Sequence, residues 1–130
     1  MDYVVNLTVP AITAKASAVF EELRIPHGEI NQVRVFFPPG CASLVHGRIL
    51  VDDAQVYPSN LGSWYMGDGL SLVINDQLFL REAHQTVRFE GYNEDDTYQH
   101  VITFGLTVLP EIAAGQPAGI PKWLWRLLRR

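Results

Sequence analysis

The feature that most constrains the fold of this chain is its division into short apolar runs by turn-forming residues. The runs are rich in Val, Ile, Phe and Tyr, which favour β-strands, and segments such as Pro38-Pro39-Gly40 and Gly67-Asp68-Gly69 separate them. Strands are predicted at 3–9, 19–25, 30–37, 42–51, 70–74, 77–80, 86–92 and 100–109, with 55–57 as a further short piece. Because no helical period intervenes, the sequence predicts one all-β domain over residues 1–110.

Alternating side chains support these strands and suggest how they are arranged. Val33, Val35 and Phe37 share one face of the predicted strand at 30–37. The run 101–109 is apolar on nearly both faces, which predicts either a covered central strand or a strand whose outer face meets another subunit. About eight short strands predict an antiparallel two-sheet β-sandwich, with an eight-stranded jelly roll as first choice and an immunoglobulin-like topology as second.

The last nine residues, 122–130, differ in chemistry from the rest of the chain. Wound as a helix, they place basic side chains on one side and Trp and Leu side chains over the remainder. A helix this short is marginal alone in water, so its apolar surface is expected to dock on something. The predicted docking residues are Trp123, Leu124, Trp125, Arg126, Leu127, Leu128, Arg129 and Arg130. A linker rich in Gly, Pro and Ala at 111–121 joins this short amphipathic helix to the sandwich.

Charge is divided unevenly between the two parts of the chain. Residues 1–121 contain all fourteen acidic residues and six basic ones, a net charge of −8, whereas 122–130 carry +4. This asymmetry indicates an acidic partner for the tail, which another copy of the body, an anionic membrane or nucleic acid would supply. The acidic body itself argues against nucleic-acid binding through its own surface.

Cysteine content and hydropathy bear on the compartment. Cys41 is the only cysteine, so the chain forms no internal disulfide and builds no cysteine-based metal site. The amino terminus lacks a basic segment leading into a long apolar run, and no apolar stretch reaches the roughly 18 residues that a membrane span needs. The expectation is a cytoplasmic protein without a signal peptide or a transmembrane segment.

No catalytic set is recognisable in the sequence. The four histidines are scattered without the spacing of a metal site, and His46 alternates with its neighbours as a sheet residue would. The acidic run at 93–97 could supply oxygen ligands to calcium, but it lacks the order of a dedicated loop, and a plain turn is favoured. No serine lies in a nucleophile-elbow frame, and Cys41 has no histidine close in sequence. The prediction is no catalytic residue, no metal and no cofactor.

Residues 54–69 form the longest irregular stretch and contain Tyr57, Trp64 and Tyr65. Aromatic side chains near Asn, Ser and Asp suit sugar binding or a subunit contact. The alternative is a loop folded over one end of the sandwich, with Trp64 as a plug. These three aromatic residues are the candidate ligand loop.

Three motifs carry a resemblance to a known class of protein. They are Phe36-Phe37-Pro38-Pro39-Gly40-Cys41, Tyr57-Pro58-Ser59-Asn60 and the corner from Gly91 to Tyr98. With the sandwich layout over 3–109, they resemble small single jelly-roll structural proteins of virus particles, including phage capsid decoration and minor capsid proteins. The resemblance implies a virion protein that assembles as a trimer or larger ring, with a terminal arm that grips a neighbour or another coat protein.

Three functional hypotheses follow. The first is a non-enzymatic assembly protein whose sandwich forms a homo-oligomer and whose tail docks on a neighbouring copy or another coat protein. The second is a carbohydrate-binding or receptor-binding module that uses the candidate ligand loop, with calcium at Asp95 and Asp96. The third is a peripheral membrane protein whose tail lies in the interface with Trp123 and Trp125 at headgroup depth. An enzyme ranks last.

Overall fold

Strands and turns account for nearly all of the structure. The computed structural model describes residues 1–110, apart from the side chain of Ala83, so the linker, the predicted helix and the predicted docking residues of the tail lie outside the described residues. The strands are β1 (Asp2–Val9), β2 (Val19–Phe37), β3 (Val45–Val51), β4 (Ala54–Tyr57), β5 (Tyr65–Met66), β6 (Leu70–Asn93) and β7 (His100–Pro110), and a single 3-10 turn covers Lys15–Ser17. Every strand pairing among them is antiparallel, which confirms the all-β antiparallel prediction.

Two unusually long strands give the sheet its shape. The strand order is β1-β7-β2-β6-β3-β4, with β5 paired to β3, and β2 and β6 contain 19 and 24 residues. Their pairing shifts register between Pro26 and Gly28 and again between Ile30 and Gln32, and such bulges bend a sheet. The first layer therefore comprises β1, β7, 28–37 of β2 and 70–80 of β6. The second comprises 19–26 of β2, 84–93 of β6, β3, β4 and β5.

The hydrophobic core lies between the two layers. The Phe89 ring from the second layer contacts the Phe104 ring from the first, with 5.1 Å between centroids. A Cβ atom on Gly91 would lie 2.9 Å from a methyl group of Val9, so a glycine lets the layers approach closely at this point. The fully buried members of this core include Val9, Ile25, Val33, Val35, Phe37, Ile49, Phe89, Ile102, Phe104 and Leu106. The architecture is thus sandwich-like, and the alternation predicted for 30–37 is confirmed.

Several boundaries differ from the sequence prediction. The predicted strands 19–25 and 30–37 are one continuous bent strand, and 70–74, 77–80 and 86–92 are another. β3 begins at Val45 and not at residue 42, because Ala42 and Ser43 have positive φ angles of 50° and 58°, which a strand does not accommodate. Asp52 and Asp53 both have positive φ, as the two central residues of a type I′ hairpin turn require.

The two ends of the sandwich are formed by different parts of the chain. At one end, here called the loop end, the segments 10–18, 38–44, 67–69 and 94–99 meet. The Glu94 N–H donates to the Leu44 carbonyl there, and the Gly40 N–H donates to Asp68. At the opposite end the Val108 N–H donates to the Met1 carbonyl, so β7 leaves the sandwich on the far side from the loop end.

Candidate interaction surfaces

The outer side of the second layer carries an ordered cluster of side chains, here called the aromatic patch, made of His46, Arg48, Trp64 and Tyr92. The His46 ring stacks on Tyr92 at 4.3 Å with 3° between the ring planes, and Trp64 meets Tyr92 edge-on at 4.7 Å. The Arg48 guanidinium lies 4.2 Å above the Trp64 ring, a cation–π contact. Each ring has a defined partner, so the patch is an ordered surface.

An ion network ties the aromatic patch to the rest of the second layer. Glu90 is buried, accepts a 2.7 Å hydrogen bond from the Arg48 Nε–H, and lies 3.6 Å from an Arg88 nitrogen. The Arg88 guanidinium also covers the Phe20 ring at 4.5 Å and lies 3.5 Å from Glu22. One carboxylate thus holds two guanidinium groups, and the network joins three neighbouring strands.

The candidate ligand loop does not form a single surface. Tyr57 is buried in the core, and its hydroxyl donates a 2.6 Å hydrogen bond to Asp76. Burial and this hydrogen bond raise the pKa of Tyr57, and burial also raises the pKa of the half-buried Tyr65. Trp64 instead belongs to the aromatic patch on the outer side. The three aromatic side chains therefore do not converge on one ligand position.

The acidic run at 93–97 is organised by its own hydrogen bonds. The Asp95 carboxylate accepts from the Thr97 and Tyr98 N–H groups, at 2.9 and 3.2 Å, and lies 2.8 Å from His100 Nε2. The hydrogen bond to His100 is the main reason that the pKa of Asp95 is lowered, followed by the Thr97 amide. Both carboxylate oxygens serve the turn, as a plain turn predicts. No group of three or more His, Cys, Asp or Glu residues within 1–110 is arranged to hold a metal ion.

Asp95→Asn is expected to lower the melting temperature by several degrees at pH 7. Because the folded pKa of Asp95 lies below the unfolded value of about 3.9, its contribution to stability is present above that value and is lost as pH falls through the folded pKa. The deficit of the variant should therefore shrink below about pH 4. Thermal unfolding at pH 7 and pH 3 measures it, with the exposed neighbour change Asp96→Asn as control. An Asp95→Asn deficit of equal size at both pH values contradicts this expectation.

The outer side of the first layer carries exposed apolar side chains around Arg34, and this surface is here called the first-layer face. Val4, Gly105, Arg34 and Val73 are direct neighbours across four strands, and Phe36 lies one step along β2 on the same side. Val4 is 64% exposed, Val73 57% and Phe36 39%. These residues line a depression of about 380 Å³ on the sheet surface. For β7 the sequence predicted either a central strand covered on both sides or a strand whose outer face meets another subunit, and it gave no sign of the other residues of this face.

Arg34 is held flat in the middle of the first-layer face. A Cβ atom on Gly105 would lie 2.8 Å from the Arg34 guanidinium, so the glycine lets this side chain lie close against β7 in its present position. The Arg34 Nη1 donates to Gln32 at 2.9 Å and to Thr107 at 2.8 Å, and Asp2 lies 3.5 Å away. The guanidinium thus presents a fixed positive group between apolar neighbours.

Cys41, His46 and His100 each have a defined environment in the structure. Cys41 is buried, and burial raises the pKa of its thiol, which disfavours the reactive thiolate. His46 lies 2.6 Å from Glu94 and is satisfied within the sheet, as its alternation predicted, while His100 is engaged by Asp95. His46 and His100 therefore each pair with a different carboxylate.

Comparison with known sequences adds no relative. The chain matches no protein-family model and no curated protein. Within residues 1–110, no helix has the length and apolar character needed to cross a bilayer.

Proposed function

We propose that this chain is a non-enzymatic assembly protein, a capsid-associated component of a virus particle. In this proposal the sandwich forms a homo-oligomer, with a trimer favoured by the resemblance, and the tail docks on a neighbour. The observation that carries the proposal is the first-layer face, where exposed Val4, Val73 and Phe36 surround Arg34. Aromatic and aliphatic side chains with an arginine among them are typical of protein–protein contacts.

The strand order supports a finer proposal, that the sandwich is a jelly roll. When each bent strand is counted as two segments and the two-residue β5 is left out, there are eight segments, four in each layer. Numbered along the chain, they run 1-8-3-6 across the first layer and 2-7-4-5 across the second. Successive segments cross between the layers in the way that two Greek keys require. Jelly rolls serve viral coats and lectins alike, so the fold supports assembly only together with the first-layer face.

The chemistry of the first-layer face favours a second copy as its partner. Val4 and Val73 stand on either side of Arg34, and Asp2 lies at the edge of the same face. A copy related by rotation would cover the apolar side chains and bring acidic groups of an acidic body towards Arg34. The −8 body and +4 tail add a second attraction between copies.

Val73→Lys is expected to weaken self-association of the full-length chain by at least tenfold, because it replaces an exposed apolar side chain with a second positive charge beside Arg34. Light scattering after size exclusion over a range of protein concentrations measures the effect. Leu61→Lys is the matched control, since Leu61 is 83% exposed in a loop away from this face. Wild-type protein that is monomeric at about 100 µM, or a Val73→Lys variant that associates like wild type, would overturn the proposal.

A further inference from the structure

The loop end of the sandwich contains a groove that shares only Tyr92 with the aromatic patch. The segment after β1 forms one wall, and the end of β6 with the following loop forms the other. Its volume is about 470 Å³. The lining residues used below are Ile12, Lys15, Tyr92, Glu94 and Asp96.

Ile12 is held in the groove wall in a conformation that its side chain disfavours. Its φ is +56°, a left-handed value that is a genuine outlier for a β-branched residue, and its side chain is 74% exposed. Hydrogen bonds fix it there: the Ile12 N–H donates to the Asp95 carbonyl, and Thr13 and Asn93 exchange two backbone hydrogen bonds. Backbone strain of this kind accumulates at binding sites, where the surrounding structure maintains it. Here it presents an apolar side chain to solvent beside a cavity.

The charges around the groove are mostly acidic. Glu94 and Asp96 stand exposed on one wall, with Lys15 on the other. Tyr92 adds an aromatic ring that also belongs to the aromatic patch. An apolar groove with acidic groups suits an occupant that combines aromatic or aliphatic side chains with basic ones. The segment 122–130 has this composition, with two Trp, three Leu and four basic residues.

The position of the groove favours the tail of another copy over the tail of the same chain. β7 ends at Pro110, on the far side of the sandwich, and its eleven residues span about 33 Å at 3.3 Å per residue. The thirteen steps along the chain from Pro110 to Trp123 reach at most about 45 Å. A tail reaches the groove of its own chain only when the linker is drawn out to about three quarters of that length, whereas no such extension is needed where the loop end of a following copy lies next to Pro110.

We propose that residues 122–130 of one copy occupy the groove between Ile12 and Asp96 of the next copy. The arrangement is head-to-tail, so it closes into a ring where the rotation between copies permits. The inference rests on the proposed assembly function and names the surface that receives the tail. Ile12 and Tyr92 contact the Trp and Leu side chains, while Glu94 and Asp96 pair with the arginines.

The test is a complementation experiment on full-length chains that all carry Val73→Lys, so that association through the first-layer face is weakened in every sample. The groove variant adds Ile12→Lys and Glu94→Lys, and the tail variant adds Trp123→Ala and Trp125→Ala. Each variant alone is expected to be monomeric. Their mixture is expected to form a one-to-one heterodimer in sedimentation velocity, because the intact tail of one variant fits the intact groove of the other.

The matched control replaces Leu61 and Glu82 with lysine in the same Val73→Lys chain. These two exposed residues lie outside the groove, and the changes alter the net charge by the same amount as in the groove variant. The control is expected to associate like its parent. Unchanged circular dichroism and melting temperature show that each variant is folded.

Three results would overturn the inference. Docking within one chain gives monomers in every sample, including the mixture. A tail that binds membranes gives no heterodimer, and the groove variant then sediments with anionic vesicles as well as the parent does. If the groove variant and the tail variant each associate as strongly as their Val73→Lys parent, the tail does not dock in this groove. Failure of the assembly proposal can be distinguished from failure of this inference, because in that case the wild-type chain itself is monomeric.

Discussion

Glu90→Ala is expected to lower the free energy of unfolding by about 2–3 kcal/mol. Glu90 is buried and is the carboxylate shared by Arg48 and Arg88, so its removal leaves two guanidinium groups in the second layer without that partner. The expected loss is somewhat below that of a fully buried ion pair because the Arg48 and Arg88 side chains remain 25% and 29% exposed. Urea unfolding followed by circular dichroism measures the change.

Glu22→Ala provides the matched control for Glu90→Ala. Glu22 also lies near Arg88, at 3.5 Å, but its side chain is 40% exposed, so its loss should cost less than about 1 kcal/mol. Similar losses for the two variants would show that the interior carboxylate is no more important than an exposed one. If the Arg48–Trp64 contact is retained in the Glu90→Ala variant, this cation–π pair does not depend on the ion network.

The sequence predicted the inward faces well because the pleat of a strand enforces a strict period of two. Val33, Val35 and Phe37 are all fully buried, as their alternation indicates. In β7 the buried set is Ile102, Phe104 and Leu106, one of the two apolar faces that the pattern offered. Alternation defined the two faces of β7 but left open which one met the core, because both carried apolar side chains.

Strand continuity could not be predicted from the same signals. Pro26-His27-Gly28 and Asn75-Asp76 have the composition of turns, but the chain continues through both as strand with irregular pairing. Proline and glycine mark bulges as well as turns, and the choice depends on a partner strand far away in sequence. β5 escaped prediction for a related reason, because its two residues are strand only through pairing with β3.

The surfaces were harder to predict than the fold. Tyr57 and Trp64 come from one aromatic stretch, but one enters the core and the other covers the second layer, a distinction that only tertiary contacts make. The Arg34–Gly105 contact did leave a signal, since a glycine within a strong strand indicates close approach by another group. The left-handed conformation of Ile12 left none, because propensities argue against it.

The first-layer face and the core share β7, so stability and assembly can be separated on one strand. Phe104 points inward against Phe89, whereas its neighbours Thr103 and Gly105 face outward. Phe104→Ala is expected to lower the free energy of unfolding by about 4 kcal/mol, because it removes a fully buried ring and leaves a cavity between the layers. Under conditions where the variant remains folded, its self-association should stay close to that of wild type.

Val73→Lys should show the reverse of Phe104→Ala, with little change in stability and a large loss of self-association. Together, Phe104→Ala and Val73→Lys distinguish the core from the assembly surface. Phe20→Ala is the aromatic control, since Phe20 is 50% exposed and its ring is covered by Arg88, so its loss should cost about 1 kcal/mol or less. Urea unfolding and light scattering on the same samples give both quantities. If Phe104→Ala costs no more than Phe20→Ala, the layers do not pack through this ring. If folded Phe104→Ala protein fails to associate, the first-layer face depends on the packing beneath it.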